Sequence, residues 1–427
     1  MNHQFELPGS YKKWTYGLIG AGIIALLYGL IFLHPFAPVT HGEGGHEASV
    51  GGTRFWAVLL QNSVFFLLVV NAAMFFICVT TMAMAGWVVA FRRVSEAVSS
   101  VVPILGVINF LILLGLIGLH RTDIYHWLDP QLYIKGSPTF DHILNGKHGF
   151  LNPTFFLIWS AITIFLWWIL GKKMRSMSLE SDNNGNMDYE TGKKWIFKNT
   201  VYASLFCVVF ALTVASTIPW IWIMSIDAHW YSTMFSWYTF ASSFVSGMSL
   251  IALFVIYLKN QGQLEYVTDE HLHDLGKFMF AFSIFWTYLW FSQYMLIWYS
   301  NQPEETKYFI ERIGTAEKTG PYYGIFFFNL IVNFLCPLLI LMKKGTKRSW
   351  TMITFMAILI IFGHWIDFYQ MVMPGTLHEK AELMPFEFGI ACLFIGLIMW
   401  GTGRYLSKHS LLAKNHPFLK ESMIHHT

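Results

Sequence analysis

Apolar residues along this chain come in runs of about 20, the length a helix needs to cross the hydrocarbon core of a bilayer. Ten such runs cover residues 14–33, 55–82, 101–120, 154–170, 195–219, 231–258, 278–300, 322–342, 350–373 and 384–405, with polar segments between them. In the second, apolar character continues to Phe91, which predicts a tilted helix or one that overshoots the bilayer near Arg92 and Arg93. The pattern predicts an all-α integral membrane protein of about ten transmembrane helices in one membrane domain, 1–427. Two four-helix bundles, 55–219 and 231–373, are expected, with peripheral helices at 14–33 and 384–405 and a tail at 406–427. Residues 14–33 follow Lys12 and Lys13, but they are long for a signal-peptide core and lack a small-x-small cleavage pattern, so a retained first helix is expected.

The basic residues orient the spans. With the N-terminus inside, 20 of the 28 Lys and Arg fall in inner segments. The outer ones are Arg54, Arg121, Lys135, Lys147, Lys307, Arg312, Lys318 and Lys380. Lys and Arg are retained on the cytoplasmic side, so both termini are expected there. Composition agrees: 55% of residues are hydrophobic and 12% charged, about half the charge of a soluble domain. A net charge of +3 without a basic domain excludes nucleic-acid binding. Cys78, Cys207, Cys336 and Cys392 all lie in apolar runs without a C-x-x-C pair, which predicts buried thiols. An internal repeat would pair spans two to five with six to nine, about 175 residues apart, but no residue identity supports it.

Against this apolar background, ionisable residues inside a span stand out. His364 and Asp367 lie three apart in the ninth run and share a helix face. A charge at bilayer depth costs about 3 kcal/mol on insertion scales, so the pair points either to a functional interior or to a wet outer interface. His364 follows Trp350 by 14 residues, about 21 Å of helix rise, which puts it in the outer half. Glu387 begins the tenth helix at a similar level, and His120, Arg121, Asp123, His126, Asp227 and His229 occupy the neighbouring outer turns.

Ser232, Ser236, Thr239, Ser243 and Ser246 are spaced by 4, 3, 4 and 3 and form one hydroxyl face on the sixth helix. Ser283, Thr287 and Tyr294, with Trp290, make a similar stripe on the seventh. Such faces either let helices pack closely or hold water along a proton route. A route would run to Asp269, Glu270, His271, His273 and Asp274 on the inner side. His364 is alone well inside a span, with His120 at a span end, so a haem with two axial histidines is not expected. His34, His41, Glu43, His46 and Glu47 are irregularly spaced in a Gly-rich loop, which predicts a solvated segment and no metal site.

The aromatic string HDLGKFMFAFSIFWTYLWFSQYMLIWYSNQPEE at 273–305, with GHWID at 363–367 and the run on to Pro374, resembles the ActF-type membrane subunits of bacterial alternative complex III. These are relatives of the NrfD and polysulfide-reductase membrane subunits, and the resemblance covers nearly the whole chain. It implies a multi-pass subunit of the bacterial inner (plasma) membrane in a quinol:cytochrome c oxidoreductase that oxidises menaquinol. Electrons would pass to cytochrome c or to a terminal oxidase. It implies no intrinsic redox cofactor here; haem c and iron–sulfur clusters reside in partner subunits, beside a second NrfD-like subunit and lipids. His364 and Asp367 match the polar ninth-helix motif, and with Tyr294 they are candidates for a quinol site. A proton-coupled secondary transporter and a structural anchor remain the competing classes.

The topology is directly testable. A reporter protein fused after Thr427 should be active in its cytoplasmic form and inactive in its periplasmic form; the reverse result would invert the orientation.

Overall fold

Each apolar run becomes a helix because only a helix satisfies its own backbone donors and acceptors away from water. The computed structural model describes residues 5–37, 46–183, 185, 188–315, 317–380 and 382–426. The histidine-rich loop lies mostly outside them: of its side chains, those of His41, Glu43, His46 and Glu47 are not described. Among the described residues the protein is all-helical, and the only β pairing is an isolated bridge between Gly314 and Thr319.

The helices are α1 (Gly9–Phe32), α2 (His46–Met82), α3 (Arg92–Ser99), α4 (Val102–Gly118), α5 (Pro153–Asn183), α6 (Tyr189–Leu212), α7 (Met234–Asn260) and α8 (Asp269–Ser300). They continue with α9 (Pro303–Ile313), α10 (Tyr323–Leu330), α11 (Trp350–Leu377), α12 (Pro385–Lys408) and the short α13 (Leu419–Met423). Nine helical segments among the described residues are long and apolar enough to cross a membrane. The expected seventh span is not one of the nine: α8 forms over 32 residues, but Trp, Tyr, Ser and Gln dilute its hydropathy.

The second run does not overshoot as one helix. It stops at Met82, turns at Met84 in the left-handed region (φ 49°) and resumes as a 3-10 helix, Gly86–Phe91, ahead of α3. Two other helices are rewound by a π turn: Thr213–Thr217 after α6, and Ile331–Leu335 between α10 and Cys336–Leu341. In each case a proline, Pro219 or Pro337, follows two residues later. Proline supplies no N–H to the carbonyl four residues back, and the wider turn absorbs that mismatch.

The innermost helices are α2 and α7. They run antiparallel, with Phe75 against Phe240 and Phe244 and Gly247 against Ala72. Around α2 pack α4, α6 and α11; around α7 pack α8 and α11. α1 lies against α12, where Gly22 faces Leu393, Gly389 faces Ala25 and Gly396 faces Ile19. Small residues permit this close approach, and the outer face of α1 leaves Ile24, Leu27 and Ile31 exposed.

Ion pairs lock both ends. At one, Arg54 Nη1 binds Glu387 Oε1 at 2.9 Å and Arg121 binds Asp123 at 2.6 Å. At the other, Arg93 joins Glu96 at 2.9 Å and Asp182 at 2.6 Å. Tyr11 donates to the Met399 carbonyl at 2.6 Å and packs on Tyr257, while His425 pairs with Asp274 at 2.7 Å. Tyr11 and His425 therefore lie at the same end as the C-terminus of α7 and the N-terminus of α8.

A Cβ on Gly22 would fall 2.3 Å from Leu393 Cβ, whereas one on Gly20 meets nothing within 4 Å. Gly22→Leu is expected to lower stability by about 1–3 kcal/mol, read as a lower Tm in detergent, and Gly20→Leu to leave Tm unchanged.

Candidate functional site

Four helices converge on Asp367. Its carboxylate oxygens accept from the Tyr238 hydroxyl on α7, from Trp286 Nε1 on α8 at 3.0 Å and from Asn329 Nδ2 on α10 at 2.9 Å. Asn333, one turn further, donates to Asn329 Oδ1. Asp367 is 1% exposed and His364 fully buried. Three donors on one carboxylate are the arrangement that lets an acceptor-only group persist away from water.

His364 sits one turn before Asp367, with Nδ1 at 2.9 Å from Ser242 Oγ and 3.8 Å from Asp367 Oδ2. Which of His364 and Ser242 donates depends on the tautomer. Nε2 of His364 is buried without a hydrogen-bond partner. Trp286 presents its ring edge-on to the imidazole at 5.3 Å and stacks on Tyr238 at 5.6 Å.

The rotation of α11 is set from its other side. Trp365 donates to Asn62 Oδ1 at 2.8 Å, and Gln61 donates to the Trp365 carbonyl at 3.1 Å, both on α2. Gly363 allows the π turn after α10 to approach: a Cβ there would stand 2.2 Å from Asn333 Oδ1.

Beside Asp367 lies a cavity lined also by Tyr238, Gln293, Tyr308, Arg312 and Gln370, with about 20 Å³ of room for a water's centre. That is space for a single water and far below the 300 Å³ or more of a ligand pocket. Arg312 is buried and makes hydrogen bonds to carbonyls: to Gln370 at 2.9 and 3.2 Å and to Tyr308 at 2.6 Å. Its guanidinium carbon stands 3.4 Å over the Tyr308 ring. The cavity thus places a buried cation and a buried carboxylate on shared walls, with a histidine nitrogen free nearby. The arrangement can bind a proton and pass it between side chains.

No protein family model matches the chain, and no curated protein matches it.

The remaining expected site residues divide into separate places. Glu387 does not join His364 and Asp367. It is held by Arg54, which also donates to the carbonyls of Lys380 and Glu382, and Glu387 accepts from the Met384 N–H at 3.0 Å. His229 pairs with Asp141, and Asp227 with Lys307 at 3.5 Å, away from the buried site. The hydroxyl face of α7 is not a side-chain chain. Ser236 donates to the Ser216 carbonyl, while Thr239, Ser243 and Ser246 donate to carbonyls three or four residues back in their own helix. Ser232 precedes α7, its N–H directed at Met224 Sδ. Ser242, off that stripe, is the hydroxyl that reaches His364. Its spacing of four from Tyr238 is the periodic signal that places both on one face.

At the opposite end, the acids and histidines of α8 have structural partners. Asp269 accepts from Trp350 Nε1 at 2.7 Å, Glu270 pairs with Arg348 at 2.7 Å, and Asp274 binds Lys277 and His425, both at 2.7 Å. His271 Nδ1 accepts from the Thr268 N–H at 3.1 Å and completes a capping box, and His273 stands 3.8 Å from Asp274. Tyr294 stacks on Trp290 at 6.0 Å, one turn from the cavity wall, and touches neither His364 nor Asp367.

Trp286→Phe and Asn329→Leu each remove a donor from Asp367, and each is expected to lower stability by about 1–3 kcal/mol. Because both serve one carboxylate, the double variant should depart from additivity by about 0.5 kcal/mol or more in detergent unfolding; simple additivity would mean the donors act independently.

Proposed function

We propose that this chain is a proton-handling membrane subunit of a quinol-oxidising respiratory complex of the alternative complex III type. It would span the bacterial inner membrane ten times with both termini in the cytoplasm. In this reading α8 is the seventh span. α2, α4, α5 and α6 form one four-helix unit and α7, α8, α10 and α11 the other, while α1 and α12 stand at the periphery. Menaquinol oxidation and the haem c and iron–sulfur centres belong to partner subunits, including a second NrfD-like chain, with cytochrome c or a terminal oxidase as acceptor.

The observation that carries the proposal is the buried His364–Asp367 pair, with its convergent donors, its unpartnered imidazole nitrogen and a cavity of one-water size. Ionisable groups buried within membrane spans are functional-site candidates by default, proton relays among them. A histidine and a carboxylate one helical turn apart are groups that can each hold and hand on a proton. The cavity's size favours proton handling here over binding of a quinol ring.

A second reading, proton-coupled transport, draws on the two helices rewound before Pro219 and Pro337, since interrupted helix pairs line transporter sites. The third, a structural anchor, requires no chemistry at Asp367.

One experiment separates the three. Asp367→Asn in the assembled complex should lower quinol-dependent turnover and proton release tenfold or more, on the order of the loss of a general acid–base group, with subunit composition unchanged. Unchanged turnover in an intact complex would leave the anchor role, and proton-coupled uptake by the isolated chain in liposomes would establish the transporter.

A further inference from the structure

A large cleft opens at the opposite end from Arg54 and Glu387, between the start of α6 and the chain's C-terminal segment. It offers about 1300 Å³, with Lys193, Lys194, Lys414 and Lys420 along its walls and Asp188 and Glu190 on the same rim. Four ammonium groups therefore stand against two carboxylates. Lys193, Lys194 and Lys420 are exposed and form no ion pair among the described residues.

At the base the cleft narrows to a throat that shares Met84, Ile196 and His416 with it and is lined by Arg92, Trp195 and Asn199. Arg92 is 4% exposed; its Nε binds Glu96 at 3.1 Å and its Nη1 binds Thr81 at 3.1 Å, but Nη2 has no partner. Trp195 Nε1 and Asn199 Oδ1 are likewise buried and unpaired. Buried polar groups are normally satisfied, so two free donors and one acceptor in a throat of about 20 Å³ make a polar floor with room for one bridging water beneath the basic cleft. His416 adds no charge of its own: burial, then Arg92 and Arg93, holds its imidazole well below the usual histidine range.

Apolar surface leads out of the cleft. Phe197 on its wall is 70% exposed, and Val201, Leu205, Val208 and Leu212 continue an exposed stripe along α6. Their spacings of four, four, three and four keep them on one helix face. We infer that this cleft is a binding site for an anionic phospholipid, its phosphate among Lys193, Lys194 and Lys420 above Arg92 and its acyl chains along the apolar stripe of α6. Basic pockets beside membrane helices bind lipid phosphates through the same physics, and the stripe favours a lipid over a free phosphate.

The test uses the full chain in nonionic detergent, with native mass spectrometry to count bound lipid. Phosphatidylglycerol and phosphatidylcholine of identical acyl chains are titrated, with inorganic phosphate as competitor. The exposed triple variant Lys193→Gln, Lys194→Gln, Lys420→Gln avoids disturbing the buried Arg92 pair. Phosphatidylglycerol should bind at least about tenfold tighter than phosphatidylcholine. The triple variant should weaken it by about fivefold per lysine, on the order of a hundredfold in all. Lys12→Gln, Lys13→Gln, Lys343→Gln, outside the cleft, should change it by less than about twofold. No preference for phosphatidylglycerol, an equal loss in the control triple, or displacement of the lipid by an equal concentration of inorganic phosphate would each overturn the proposal.

Discussion

A carboxylate at the centre of an apolar bundle must be surrounded by donors, and that requirement at Asp367 ties together much of the second half of the molecule. No single neighbouring helix supplies enough donors, so Tyr238, Trp286 and Asn329 come from three of them. Removing one donor from the buried carboxylate costs about 1–3 kcal/mol, whereas the complete set holds one geometry. The glycine at 363 and the clamp on Trp365 follow from the same requirement, because α11 must face one way and α10 must come close.

Local backbone and site are linked on α10. Asn329 reaches the site from just before the π turn that Pro337 accompanies, and Asn333 from within it. π turns recur at functional sites, and here one adjusts the pitch of a helix whose two amides hydrogen-bond to each other beside the carboxylate. The ends of the bundle obey a different rule. There the charges are paired through ion bridges such as Arg54–Glu387 and Arg93–Asp182, which fasten helices far apart in sequence.

Much of the helical plan was legible in the sequence, because an apolar run of bilayer length has few other ways to satisfy its backbone. His364 and Asp367 stood out for the same reason, a polar pair in such a run being either a functional interior or a wet interface, and the structure buries both. The partners did not. Trp286 and Tyr238 carried no signal of their own, because only a tertiary contact turns an indole N–H or a phenol toward a carboxylate. Arg312 read as an outer-loop charge, yet it lies buried against Gln370. Glu387 was drawn into the cluster by its level along the helices, but level does not fix azimuth, and Arg54 claims it. The serine stripe had the right periodicity, yet hydroxyls in a helix readily bond their own carbonyls, and these do.

The most direct measurement is infrared difference spectroscopy of the carboxyl region on the purified full chain as pH is stepped, comparing wild type with Asp367→Asn. The account predicts a protonation band of a buried carboxylic acid in the wild type that the variant lacks, with its position sensitive to Tyr238→Phe through the lost hydrogen bond. Identical difference spectra in wild type and Asp367→Asn would show that Asp367 takes up no proton and would contradict a proton-handling centre.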